Sequence, residues 1–77
     1  MEFVVDLNKV EDVKDFVRLA GMYDTNIILN TQDRKYAVDA SSLMGVFSLD
    51  LSHPVVVNVS DKEIGEAFKE SVEKFVM

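Results

Sequence analysis

The chain has no cysteine, no tryptophan, a single proline and three glycines among its 77 residues. Without cysteine there is neither a disulfide framework nor a zinc–thiolate staple, so the burial of apolar side chains must hold the fold. No repeat, low-complexity tract or Pro/Gly-rich linker divides the sequence, and the expectation is one domain over residues 1–77. Positive charge is also scarce: eight lysines and arginines stand against fourteen acidic residues, for a net charge of -6. That field repels phosphate backbones and anionic membrane surfaces, and no cluster of cations supplies a basic footprint. Nucleic acid and membrane are therefore not the expected partners. Long apolar runs are absent as well, and no segment has the basic start, apolar core and small-residue end of a leader. A soluble, cytoplasmic protein is expected, either a monomer or a weak oligomer.

What is present suffices for one core. Hydrophobic residues make up 48% of the chain and fall in periodic segments, which sets it apart from disordered sequences. Phe3, Val5 and Leu7 alternate with Glu2, Val4 and Asp6, the pattern of a strand with one buried face. Asn8 followed by Glu11 has the chemistry of a capping box, and Val10, Val13, Val17 and Ala20, with Phe16 beside them, predict a helix over 9–21. Gly21 fits its end. Residues 26–30 and 35–39 read as two strands joined by the polar turn around "TQDR". A short helix is expected from about Ser42, then a loop, because Pro54 disfavours helical geometry at His53. "VVVNV" at 55–59 is a β-branched strand. Ser60 with Glu63 is a second capping-box pattern, opening a helix whose Ile64, Ala67, Phe68, Val72 and Phe75 share a face. The order β-α-β-β-α-β-α implies an open-faced α/β (α+β) sandwich, a four-stranded sheet with three helices on one side.

The run "ASSLMGVFSL", residues 40–49, carries no charge and sets Leu43, Met44, Val46 and Phe47 around Gly45. A short helix on a single sheet cannot bury all of these and Leu49 together. In order, Ser42, Leu43, Met44, Gly45, Val46, Phe47, Ser48 and Leu49 resemble the serine-helix segment of the HPr family, small phosphocarriers of the bacterial sugar phosphotransferase system. "FVRLAGMYD", residues 16–24, is similar to the end of that family's first helix and the joint into its second strand. Length and element order agree along the whole chain. The resemblance implies the HPr-like open-faced sandwich, and it implies that Leu43, Met44 and Phe47 lie on an exposed docking surface for protein partners, such as phosphotransferase enzymes or a regulator.

The departure from the family lies at its reactive site. HPr proteins carry the phosphoryl group on a histidine in a Gly-aliphatic-His-Ala-Arg-Pro-Ala segment. In register from Phe16, that segment falls on "LNKVEDV", residues 7–13. Lys9 stands at the histidine position, Glu11 at the arginine position and Asp12 at the proline position. A phosphocarrier needs a neutral imidazole nitrogen and donors for the phosphoryl oxygens. A lysine amine is protonated near neutral pH, while Glu11 and Asp12 oppose an incoming phosphoryl group. Their simpler role is to favour the start of a helix.

Three functions follow as expectations. The first is an HPr-like docking or regulatory module without a reactive histidine, hence not an enzyme. The second is a regulatory target phosphorylated at Ser42 by an HPr-type serine kinase; the same serine also suits a plain helix N-cap, and Asp39 nearby opposes a phosphate. The third is a phosphocarrier using a non-standard residue. It has little support, because His53 is the only histidine, sits in a loop, and has no arginine or glycine nest beside it in sequence. No metal-ligand spacing is present and no cofactor is expected.

Overall fold

The computed structural model describes all 77 residues. Four strands, β1 (Glu2–Val5), β2 (Ile27–Asn30), β3 (Ala37–Asp39) and β4 (Val55–Val59), form one sheet in the order β1-β4-β2-β3. Every neighbouring pair is antiparallel. Helix α1 (Val10–Ala20) links β1 to β2, α2 (Leu43–Phe47) links β3 to β4, and α3 (Lys62–Ser71) is followed by a 3-10 turn, Glu73–Phe75. Each of the first two helices joins strands separated by one intervening strand, the split β-α-β arrangement. The architecture is thus α+β: an open antiparallel sheet with three helices.

Register shows why one face is covered. Phe3 lies opposite Val57, which lies opposite Leu29; Val5 pairs with Val55 and Ile27 with Val59. Directly opposed residues share a face, so these seven form one apolar surface. All are buried, in a cluster with Val13, Phe16 and Ala20 of α1, Val46 of α2, Phe68 of α3, and Val72 and Phe75 beyond it. Phe68 lies at the centre. Its ring stands 5.4 Å from Phe16, 5.5 Å from Tyr23 and 6.2 Å from Phe3, in tilted or edge-on geometry. Such pairs add to what their buried area contributes.

The opposite face carries Glu2, Val4, Val56, Asn58, Ile28, Asn30, Ala37 and Asp39. One long side chain crosses it. Arg34, in the β2–β3 loop at φ 61, donates to both carboxylate oxygens of Glu2 at 3.0 and 2.9 Å. Asn58 also donates to Glu2, at 2.9 Å. Val56, on the intervening strand of that face, is buried. The bidentate pair therefore ties the hairpin to the far edge strand and shields part of the open face.

Both sheet edges are short. The chain beyond α3 covers the β1 edge, with a Val5–Val76 bridge and a bond from the Met77 N–H to the Val4 carbonyl at 3.0 Å. At the other edge β3 has only three residues. Short or covered edges resist pairing with other chains.

Several local expectations are corrected. Lys9, not Asn8, holds the N-cap position of α1, and no side chain caps that end. The helix starts where Val13, Phe16 and Ala20 face the sheet, which leaves Val10 exposed. Gly21 ends α1 in right-handed geometry, φ -70, so its conformational freedom is not used there. For α3 the cap is Asp61, whose carboxylate accepts from the Ile64 N–H at 3.0 Å; Ser60 lies one residue too early. Ala67 is exposed, and Phe75 enters the core from the 3-10 turn rather than from the helix. Leu7 is buried although β1 ends at Val5, so the apolar alternation outlasts the sheet pairing.

Truncating the central ring removes contacts with three elements at once. Phe68→Ala is expected to destabilise the protein by about 3–5 kcal/mol in urea unfolding; a loss below about 1 kcal/mol would show that the core collapses around the gap. Acid should act through Glu2. Its hydrogen bond from Arg34, and then the charge of Arg34, hold its pKa below the ordinary glutamate value. A depressed folded pKa gives stability that is full above the unfolded value and lost as pH falls through the folded one. Between about pH 5 and pH 3, the stability of Glu2→Gln should therefore fall less steeply than that of the parent chain. Parallel slopes would remove the pair from the stability balance.

Candidate functional site

Helix α2 is five residues long, too short to persist by its own backbone bonds. Three features seat it. Ser42, extended at φ -96, caps it through a bond from the Gly45 N–H to Oγ at 3.2 Å. Gly45 lets it approach β3: an added Cβ would lie 3.3 Å from Val38 Cβ and 3.1 Å from Ser42 Oγ. Val46 and Leu49 then enter the core. Once these two face inward, Leu43, Met44 and Phe47 are left outside, exposed by 38%, 86% and 42%. This uncharged helix thus divides its large side chains between a core pair and a surface trio.

Other residues singled out in the sequence lie elsewhere. Lys9 and Glu11 are exposed at the start of α1, and neither forms an ion pair. A shallow depression beside Lys9 is lined also by Asp6, Asp12 and Lys74. Carboxylates and amines mix there, and no histidine is present. Helices α1 and α2 pack against each other, so both regions belong to the helical side of the molecule.

No protein-family model matches the chain, and no curated protein matches it. What it can do rests on its own side chains.

The sequence did not single out a cleft of about 640 Å³ between the β2–β3 loop and the segment joining α2 to β4. Asp33 and Tyr36 stand on one wall, Ser48, Asp50 and His53 on the other. Its shape comes from local turns. Asp33 Oδ1 accepts from Thr31 Oγ1 at 2.6 Å and from the Lys35 N–H at 3.0 Å. Asp50 Oδ1 accepts from the Ser52 N–H at 3.0 Å and from Ser52 Oγ. Gln32 Nε2 donates to the Pro54 carbonyl at 3.0 Å, closing the cleft at its base. Such side-chain-to-backbone bonds fix short loops.

These bonds also set the charge. Hydrogen bonding from Thr31 first, then from the Lys35 N–H, holds Asp33 below the ordinary aspartate pKa. The hydroxyl and N–H of Ser52 do the same for Asp50, with a smaller contribution from the charge of His53. Both are carboxylates at neutral pH, and the Oδ2 of each accepts no bond from the protein. His53 is thus placed beside a carboxylate in the cleft, well apart in the chain from Lys9 and α1. The Asp-X-Ser spacing at 50–52 and the Thr-X-Asp spacing at 31–33 were the available sequence signals. They announce turns, and only the fold shows that the two turns face one another. No group of three or more His, Asp or Glu side chains is placed to hold a metal ion, and no helix is long and apolar enough to cross a membrane.

Ser42→Ala removes the N-terminal side-chain cap of α2 and should cost about 1 kcal/mol in urea unfolding, whereas Ser42→Asp, another good cap, should cost less. Equal losses for the two would show that the hydroxyl bond to Gly45 does not hold the helix.

Proposed function

We propose that this protein is an HPr-like docking module that has lost the phosphoryl-accepting site and acts in the cytoplasm through protein contacts. The observation that carries the reading is the outer surface of α2: Leu43, Met44 and Phe47 stand outside on a helix that carries no charge. Methionine and phenylalanine suit a surface that must repack against a partner. The resemblance of Ser42–Leu49 to the serine-helix segment supports the same reading, as does a sheet whose helices all lie on one face. In this reading the open α+β sheet is the HPr-like sandwich.

Lys9 and Glu11 account for the lost chemistry. The N-terminus of a helix suits an anion, yet α1 opens with Glu11 and Asp12 in its first turn and no histidine. A lysine stands where the histidine nucleophile is needed. The partner is a protein that recognises an HPr-type surface, a phosphotransferase enzyme or a regulator, and the module binds it without receiving phosphate.

The exposed hydroxyl of Ser42 favours one further possibility on the same surface. A phosphate there would sit at the N-terminal end of α2, beside Leu43 and Met44, and would switch docking rather than carry phosphate onward. Asp39 lies close by, with Oδ1 engaged by Ser41.

The test is incubation with phosphoenolpyruvate and Enzyme I of a sugar phosphotransferase system, with an ordinary HPr as positive control, followed by intact mass and an NMR titration. The expected result is no added phosphate on this chain, with amide shifts centred on 43–47. Phe47→Ala should weaken the complex by about tenfold or more. Phosphate appearing on this chain, or no complex involving α2, would overturn the reading. Added phosphate with an HPr-type serine kinase, abolished by Ser42→Ala, would establish the switch.

A further inference from the structure

Resting on that docking reading, we infer that the partner is basic where it meets this protein, and that one of its arginine or lysine side chains enters the cleft at the end of α2. The cleft and the apolar surface are continuous: Ser48, next after Phe47, is the C-cap of α2 and part of the cleft wall. A partner seated on Leu43, Met44 and Phe47 therefore reaches this cleft first.

Charge decides what it brings. From Tyr36 to Asp61 the chain has no lysine or arginine, while Asp33 and Asp50 face the cleft from opposite walls. The nearest arginine, Arg34, is committed to Glu2 on the open face of the sheet. Lys35, two residues after Asp33, acts on it through its charge, but its side chain neither lines the cleft nor bonds to the aspartate. Each aspartate spends one oxygen on its own turn, and neither Oδ2 accepts a hydrogen bond even with His53 beside Asp50, so two acceptors stay open to a donor. Tyr36, 64% exposed, adds an aromatic wall. Carboxylate oxygens with an aromatic ring suit a guanidinium, which donates in a plane and stacks on rings. An acidic partner segment would meet two like charges in the same place. HPr-type docking through α2 thus acquires a second determinant, electrostatic and specific to this chain.

The test uses the whole chain with two small probes, N-acetylarginine methylamide and its uncharged counterpart N-acetylcitrulline methylamide, each titrated while amide NMR shifts are followed. The arginine probe should shift Asp33, Ser48, Asp50 and His53 in a saturable way, with the citrulline probe at least about tenfold weaker, the equivalent of one lost charge-assisted bond. Asp33→Asn and Asp50→Asn keep the Oδ1 that each turn uses, so they should preserve the loops and weaken the arginine response. Phe47→Ala should leave that response intact. Equal responses to the two probes, or arginine shifts centred on the exposed Glu63, Glu66 and Glu70 of α3 instead, would overturn the inference. The two ideas fail separately. A Phe47-dependent complex without a cleft response leaves docking standing and removes the basic partner. A cleft response without any α2-dependent complex keeps the cation site and removes docking.

Discussion

The ring of Phe68 holds the helical layer to the sheet. It meets Phe3 on β1, Phe16 on α1 and Tyr23 in the segment leading to β2, and Phe16 passes the contact on to Phe75 at 6.5 Å. Five aromatic rings from distant parts of the sequence thus converge in a molecule without disulfides. A chain this size buries a smaller fraction of its surface than larger domains do, so a few large side chains carry a greater share of its stability. Tyr23 adds a polar tie outside the cluster, with its hydroxyl 2.6 Å from Ser71 Oγ. Gly65 belongs to the same arrangement. A Cβ there would come within 2.9 Å of Met1 Sδ and 3.4 Å of Val59 Cβ, so the glycine sets how closely α3 lies on the sheet.

With α1 and α3 held by aromatic rings, α2 has the smallest anchor. It contributes Val46 from within the helix and Leu49 just after it. Gly45 and the Ser42 cap supply the rest of its seat. Such a helix has no room to hide the remainder of its apolar side chains. The exposure of Leu43, Met44 and Phe47 is therefore a geometric consequence of a short helix over a small sheet, whatever later use is made of it. In the proposed reading, partner recognition exploits an apolar surface that the fold could not bury.

Electrostatics divide the molecule in a second way. On the open face, Arg34 and Glu2 satisfy each other across the sheet. In the cleft, Asp33 and Asp50 feel the charges of Lys35 and His53 but form no ion pair, and the turns that place them also keep them ionised. A surface pair such as Arg34–Glu2 is screened by salt and water. An unpaired carboxylate facing a concave wall is better placed to act on whatever enters. The proposed basic partner follows from that contrast.

Much of the fold was legible in the chain itself. Period-two alternation marked β1, β-branched residues marked β4, and helical spacing marked α1 and α3, because each of these signals reflects one face turned toward one core. That the run at 42–49 could not bury all five of its large side chains was legible as well, but which of them stay outside was only what the family resemblance implied. Helix starts were not. Asn8 and Ser60 have the right chemistry for caps, but the residue that occupies the cap is fixed by which turn must face the sheet, and packing chose Lys9 and Asp61. The cleft was not legible either. Asp33 and Asp50 lie on separate loops, and only the pairing of β2 with both β3 and β4 brings those loops to the same end of the sheet. Sequence by itself determined the elements, the apolar face of each and the absence of a histidine at the start of α1, because these depend on residue type and spacing along the chain. Tertiary structure alone decided the strand order, the Arg34–Glu2 tie and the company His53 keeps, because these depend on contacts between residues that the chain holds far apart.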